Sequence, residues 1–231
     1  MAGSGMKPSV FYAAALAVAG TLLATPARAS PYWIAWEGTE LPEVQGPWLR
    51  GFGYGGAKRT INNGILTYDS LHDVNVWDFA YIEGQRKMDP EPSETFILEW
   101  SLKVERVIGR ADPAVGVSSD EAWAVGFEFA EDRIFSVFEG YLQIPIEKGV
   151  FHAYQLASMD MRKYDLYVDG QLVRRGVFDK AVTQSYVGFG DGIQGAASLH
   201  HWDYLRFGVI PEPATVALVF VVLTVRYRRA A

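Results

Sequence analysis

Hydrophobic residues recur at every second position over most of the chain, and helical spacing is nowhere sustained. Phe96, Leu98, Trp100, Leu102 and Val104 alternate with Glu99, Ser101, Lys103 and Glu105, which predicts a strand with one face in a core and the other in water. Trp123, Val125, Phe127 and Phe129 repeat the pattern, and the turn signal Glu131-Asp132 leads into a returning run at Ile134–Phe138. A further strand is expected over Val76–Ile82. Two hairpins are sharper still: Asp169-Gly170 between Tyr164–Val168 and Gln171–Val173, and Asn63-Gly64 between Thr60-Ile61 and Ile65–Tyr68. Both dipeptides accept positive φ at the two centres of a type I′ turn. Runs at Ser185–Phe189 and Leu199–Val209 follow behind Gly-rich turns. Gly51–Gly56, Gly109–Asp120 and Gly140–Gly149 are expected as loops or connections, and Asp89–Ser93, with two prolines, as a linker. The Gly-rich stretch lacks the Gly-Lys-Ser/Thr ending of a phosphate loop. The expectation is an all-β, antiparallel two-sheet sandwich over residues 30–208.

The two ends depart from this rhythm. Val10–Leu23 is an apolar run preceded by Lys7 and followed by Ala27-Arg-Ala29, the form of a signal peptide over 1–29 cleaved by signal peptidase after Ala29. At the other end Ala214–Val225 is apolar or Thr, and Arg226, Arg228 and Arg229 close the chain. Positive charge behind an apolar run halts translocation on the cytoplasmic side. Twelve residues rise only about 18 Å as a helix, so this transmembrane segment is short.

Composition narrows the function. Residues 30–210 carry 16 Lys and Arg against 26 Asp and Glu, a surface that does not attract nucleic acid. Zero cysteines leave stability to packing, which seven Trp, twelve Tyr and thirteen Phe can supply.

Pro211-Glu212-Pro213, the apolar stretch and the Arg cluster together resemble the PEP-CTERM sorting signal over 209–231. The resemblance implies recognition by an exosortase, transient anchoring in the inner membrane, and delivery to the cell surface or an exopolysaccharide matrix. Phe151–Leu156, Tyr164–Gly170, Val187–Gly190 and Trp202–Phe207 resemble a concanavalin A-like jelly roll of the laminin-G-like kind. That resemblance implies a jelly-roll sandwich, and a structural Ca²⁺ held by backbone carbonyls and Asp203 at the opening of the last strand.

Catalytic signals are sparse. A laminarinase-like arrangement needs carboxylates at i, i+2 and i+4 of one strand; Glu128, Ala130 and Asp132 lack the middle acid and place the third in a turn. There is no Gly-x-Ser-x-Gly elbow. His200 and His201, adjacent on a strand, face opposite sides, and His72 and His152 stand alone. Tyr167, opposite in direction to Leu166 and Val168, is the aromatic to consider for stacking on a sugar ring. These signals favour an exported non-catalytic module that binds carbohydrate or joins the matrix. A glycoside hydrolase acting on extracellular polysaccharide is the alternative, and a purely structural surface protein a further one.

Expression in an exosortase-bearing host, followed by fractionation and terminal mass analysis, is expected to find the chain outside the cytoplasm without residues 1–29. An intact cytoplasmic chain excludes this route.

Overall fold

The computed structural model describes residues 34–83, 88–121, 123–137, 139–140, 142–180, 185–192 and 195–211. In chain order the elements are β1 (Ile34–Trp36), α1 (Pro42–Gln45), β2 (Leu49–Gly53), β3 (Lys58–Asn62), β4 (Ile65–Asp69), β5 (Trp77–Glu83), β6 (Glu94–Ile108), β7 (Pro113–Ser118) and β8 (Trp123–Phe129). Then come β9 (Arg133–Ser136), β10 (Leu142–Pro145), β11 (His152–Ser158), β12 (Lys163–Val168), β13 (Gln171–Val177), β14 (Asp179–Lys180), β15 (Tyr186–Asp191) and β16 (Ala197–Pro211). Sheet A runs β13-β12-β11-β6-β16-β4-β3, with β1 also on β16; sheet B runs β10-β9-β8-β7-β15-β5-β2, with β14 also on β8. The described residues thus form the expected all-β, two-sheet antiparallel architecture of a jelly-roll sandwich.

Local chemistry accounts for the hairpins. Asp169 and Gly170 have φ of 51° and 79°, as do Asn63 and Gly64, and they join Val168 to Gln171 and Asn62 to Ile65 in register. Between the sheets the alternating apolar faces meet as aromatic clusters. Trp100 of β6 stacks on Tyr154 of β11 at 5.2 Å and 12°, and reaches across to Phe127 and Phe129 of β8, each at 6.2 Å. Phe189 of β15 meets Trp36 at 5.4 Å and Trp202 at 4.9 Å. Ring pairs of this kind add about 0.5–1.5 kcal/mol each beyond the area they bury.

Several local expectations change. The wet face expected on β6 is wet only at its later end: Glu99 and Ser101 are buried. β6 lies between β11 and β16, so long side chains from both neighbours cover it, and Glu99 accepts bonds from Gln155 Nε2 at 2.7 Å and Arg206 Nε at 2.9 Å. The loop expected over 109–120 contains β7, a central strand of sheet B, and the 140–149 connection contains β10. The 51–56 loop begins inside β2. No helix among the described residues is long and apolar enough to cross a membrane. The signal segment 1–29 with Ala27 and Ala29, the apolar segment 214–225, and Glu212, Pro213, Arg226, Arg228 and Arg229 lie outside the described residues, whereas Pro211 ends β16 opposite Glu94.

The Asp169 turn is also held from the side. His152 Nδ1 lies 2.6 Å from Asp169 Oδ2, its Nε2 lies 2.8 Å from the Glu147 carbonyl, and Ala153 N donates to Asp169 Oδ1 at 2.9 Å. The bond with Asp169 outweighs burial and raises the imidazole above its ordinary value. Because the folded value is the higher one, the charged pair contributes stability in full below the unfolded value of about 6.5 and loses it as pH rises through the folded value. The melting temperature of the chain relative to His152→Gln is therefore expected to be higher in mildly acid than in mildly alkaline buffer. An offset independent of pH would contradict this. At the same turn, Gly170→Val is expected to cost about 1 kcal/mol or more, because a β-branched residue resists φ of 79°; chemical denaturation measures it.

Candidate functional site

The outward faces of the two sheets differ. Along β5 the inward positions Asp78, Ala80 and Ile82 are buried, so Trp77, Phe79, Tyr81 and Glu83 point out of sheet B. Their rings are laid down by glycine. A Cβ on Gly53 would stand 2.1 Å from the Trp77 indole nitrogen, one on Gly188 2.3 Å from the Phe79 ring, and one on Gly116 2.5 Å from the Tyr186 hydroxyl. Each ring therefore rests against bare backbone of a neighbouring strand, giving an aromatic floor whose ring faces are partly open to solvent.

In the same sheet, cross-strand register carries Glu128 of β8 to Ala114 of β7, Gly190 of β15 and Phe79 of β5. Paired residues of antiparallel strands share a face, so Glu128 stands on the side of the aromatic floor, three inter-strand steps or roughly 14 Å from Phe79. Only Ala114 and Gly190 intervene in that row, which leaves a trough. On the other side of Glu128 lies Phe135 of β9, packed with Ala111 and Ala130 in a small cluster of its own.

Glu128 is buried, with a single strong partner among the described residues: Arg110 Nη2 donates to Oε2 at 2.9 Å, and the same guanidinium lies 5.4 Å above the Phe135 ring. Burial raises the Glu128 carboxyl above its ordinary value, Arg110 opposes the shift, and the charge of nearby Asp112 adds to it. The result is a carboxyl that holds its proton to higher pH than a surface glutamate. Beside it, an open pocket of about 450 Å³ is lined by Arg110, Phe135, Val107, Arg133, Gln143 and Lys148 among others.

The other residues singled out in the sequence are placed as follows. Asp132 is exposed at the β8–β9 turn, where Arg133 binds it at 2.8 Å through both Nε and Nη2, and it lines the pocket beside Glu128. Tyr167 pairs with Gln155 and Leu172 on the outer face of sheet A, and its hydroxyl lies 3.4 Å from Asp165. Asp203 occupies a bulge of β16 between Trp202 and Tyr204, where pairing passes from β4 to β1. A Cβ on Gly38 would stand 2.0 Å from the Gly64 carbonyl oxygen and 2.8 Å from that of Asp203. Two backbone carbonyl oxygens, of Gly64 and Asp203, thus lie close together there. Among the described residues no three acidic or imidazole side chains assemble as metal ligands. His200 is buried and His201 half-exposed beside Glu105, on opposite faces as the alternation requires. Arg110, Phe135, Trp77, Phe79, Tyr81 and Tyr186 went unselected in the sequence, although the strict alternation of the β5 aromatics with Asp78, Ala80 and Ile82 was a usable signal.

No family model and no curated protein matches the sequence. Solved structures do. The endo-beta-1,3-glucanase from Pyrococcus furiosus aligns with TM-score 0.55 and 15% identity over 78% of this chain and 95% of that one. A native glycosidic hydrolase aligns with TM-score 0.53 and 13% identity, covering 76% and 94%. A glycosyl hydrolase family protein from Mycobacterium fortuitum aligns with TM-score 0.51 and 12% identity, covering 77% and 99%. At these identities the likeness establishes the fold. The preference for a non-catalytic, non-enzymatic module is corrected: these neighbours are hydrolases, and they favour the glycoside hydrolase alternative.

Proposed function

We propose that the chain is a glycoside hydrolase acting on extracellular polysaccharide, with the outer face of sheet B as its substrate trough and Glu128 as its proton donor. The observation that carries this reading is the Glu128 carboxyl, shifted upward by burial on the same face as a floor of rings. Pyranose rings stack on aromatic faces, and an extended glycan would lie across Trp77, Phe79, Tyr81 and Tyr186 with a glycosidic oxygen above Glu128. In hydrolysis the bond from the anomeric carbon to that oxygen breaks, the leaving oxygen takes the Glu128 proton, the hydroxide portion of water adds to the anomeric carbon, and the remaining proton of that water restores the Glu128 acid. Arg110 holds the carboxyl in place and, after transfer, stabilises the carboxylate. The hydrolase likeness of the solved neighbours supports this reading.

We also propose that the chain is exported by its signal segment and sorted through Pro211, Glu212 and Pro213 by an exosortase, which would bring the trough to matrix polysaccharide. Asp203 and Tyr167 belong to the other sheet and serve no step at Glu128.

Release of reducing ends from a panel of soluble and matrix polysaccharides tests the proposal. Wild-type chain is expected to cleave at least one, Glu128→Gln to lose about a hundredfold or more, and Asp132→Asn to cleave like wild type. The alkaline limb of the rate profile is expected to move upward in Arg110→Met, since Arg110 holds the Glu128 value down. No cleavage of any polysaccharide, or equal cleavage by Glu128→Gln, overturns the assignment.

A further inference from the structure

Among the described residues, two buried carboxyls outside the trough floor have no cation paired with them. Asp112, immediately before β7, and Asp191, the last residue of β15, are both fully buried. Neither oxygen of Asp191 receives a hydrogen bond, nor does Oδ1 of Asp112. Asp191 stands opposite Pro113, next to Asp112, in the β7–β15 register, and Gly192 N donates to the Asp112 carbonyl at 3.4 Å, so the two residues are neighbours across the strands. Ser70 Oγ is 3.4 Å from Asp112 Oδ2 and 3.4 Å from the Ser198 carbonyl oxygen, and it accepts from Ser198 N at 2.9 Å. Sheet B supplies the acids, and sheet A supplies the hydroxyl and the carbonyl.

The charge around them does not close. Asp78, opposite Asp191 in register, is matched by Arg50 at 3.0 and 2.5 Å and by Arg59 at 3.5 Å. Arg59 also binds Glu43 at 2.5 and 3.1 Å. His200, whose Nδ1 lies 2.7 Å from Ser198 Oγ, is kept neutral by burial, and its Nε2 has no partner. Four carboxyls thus face two guanidiniums, a deficit of two positive charges, and Asp78, Asp112 and Asp191 are fully buried. Buried carboxylate charge left without a countercharge is costly.

We propose that Asp112 and Asp191 enclose one hard divalent cation, Ca²⁺ or Mg²⁺, with the Ser70 hydroxyl and the Ser198 carbonyl oxygen as further donors. All four groups are oxygen donors of the kind these ions select, and two positive charges remove the deficit. The ion joins the ends of β7 and β15 in sheet B to the end of β4 and the start of β16 in sheet A, a cross-sheet tie in a chain that has no cysteine. It is separate from Asp203, which faces the β4–β1 gap.

The test uses the full chain, stripped with EDTA and dialysed at fixed pH and ionic strength. Addition of Ca²⁺ or Mg²⁺ is expected to raise the melting temperature by about 3 °C or more, with one ion bound per chain by elemental analysis. Asp191→Asn and Asp112→Asn are each expected to abolish that rise, and Asp203→Asn to retain it. Should the Asn variants fold poorly, Ser70→Ala removes a donor without altering charge and is expected to move the midpoint to higher cation concentration. The proposal is overturned by a wild-type chain that responds to neither ion, by a response that survives in Asp191→Asn, or by stability that falls with rising pH and ignores cations, which marks a shared proton instead.

Discussion

The structure depends on one long pairing, that of β6 with β16. Each strand has fifteen residues, and their register runs from Ala197 opposite Ile108 to Pro211 opposite Glu94. Sheet A is assembled outward from this pair, with β11 on one flank and β4 and β1 on the other. Trp100 and Trp202, the rings around which the two aromatic clusters gather, both hang from it. The partners are far apart in sequence, so the pairing carries a high loop-closure cost that local turns do not share. The hairpins at Asn63 and Asp169 can form early, but neither has a core to face until β6 meets β16.

The same arrangement decides where chemistry can sit. The outer side of sheet A is closed by long polar side chains, with Glu99 held between Gln155 and Arg206. Sheet B has glycine at Gly53, Gly116 and Gly188 where sheet A has reach, so its rings lie down and its outer side stays shallow and apolar. A carboxyl placed on that side, as Glu128 is, loses water without gaining more than one strong partner. The raised proton affinity follows from this environment, while Glu139, half-buried elsewhere, is held ionised by bonds from Tyr164, Arg174, Val177 N and Ser136.

The sandwich class, both type I′ turns and the inward residues of β6 and β8 were legible because each rests on local alternation or on a turn dipeptide. β7 was not, since Pro113-Ala-Val-Gly-Val117 offers only two large apolar residues between small ones, and it becomes a strand by lying between β8 and β15. β16 was legible in extent and hidden in phase. Ser198, His200 and Trp202 point inward, the bulge at Asp203 inserts one residue, and Leu205 and Phe207 point inward afterwards. The site was hidden for a related reason. Glu128, Phe79, Tyr186 and Arg110 come from four separate strands or their flanks, and linear spacing within one strand, which led to Asp132, does not report a row that crosses the sheet.

Among the described residues the strand order also leaves four open edges, β13 and β3 in sheet A and β10 and β2 in sheet B. Three of them carry residues that deter a neighbouring chain from adding a strand: Arg174 and Arg175 on β13, Lys58 on β3, Pro145 on β10. β2 carries Arg50 alone, and beside it Leu49, Phe52 and Tyr54 are exposed. Crowding among copies of this molecule therefore meets resistance on three rims and is weakly opposed on the fourth, so self-association, where it occurs, is directed to the β2 edge.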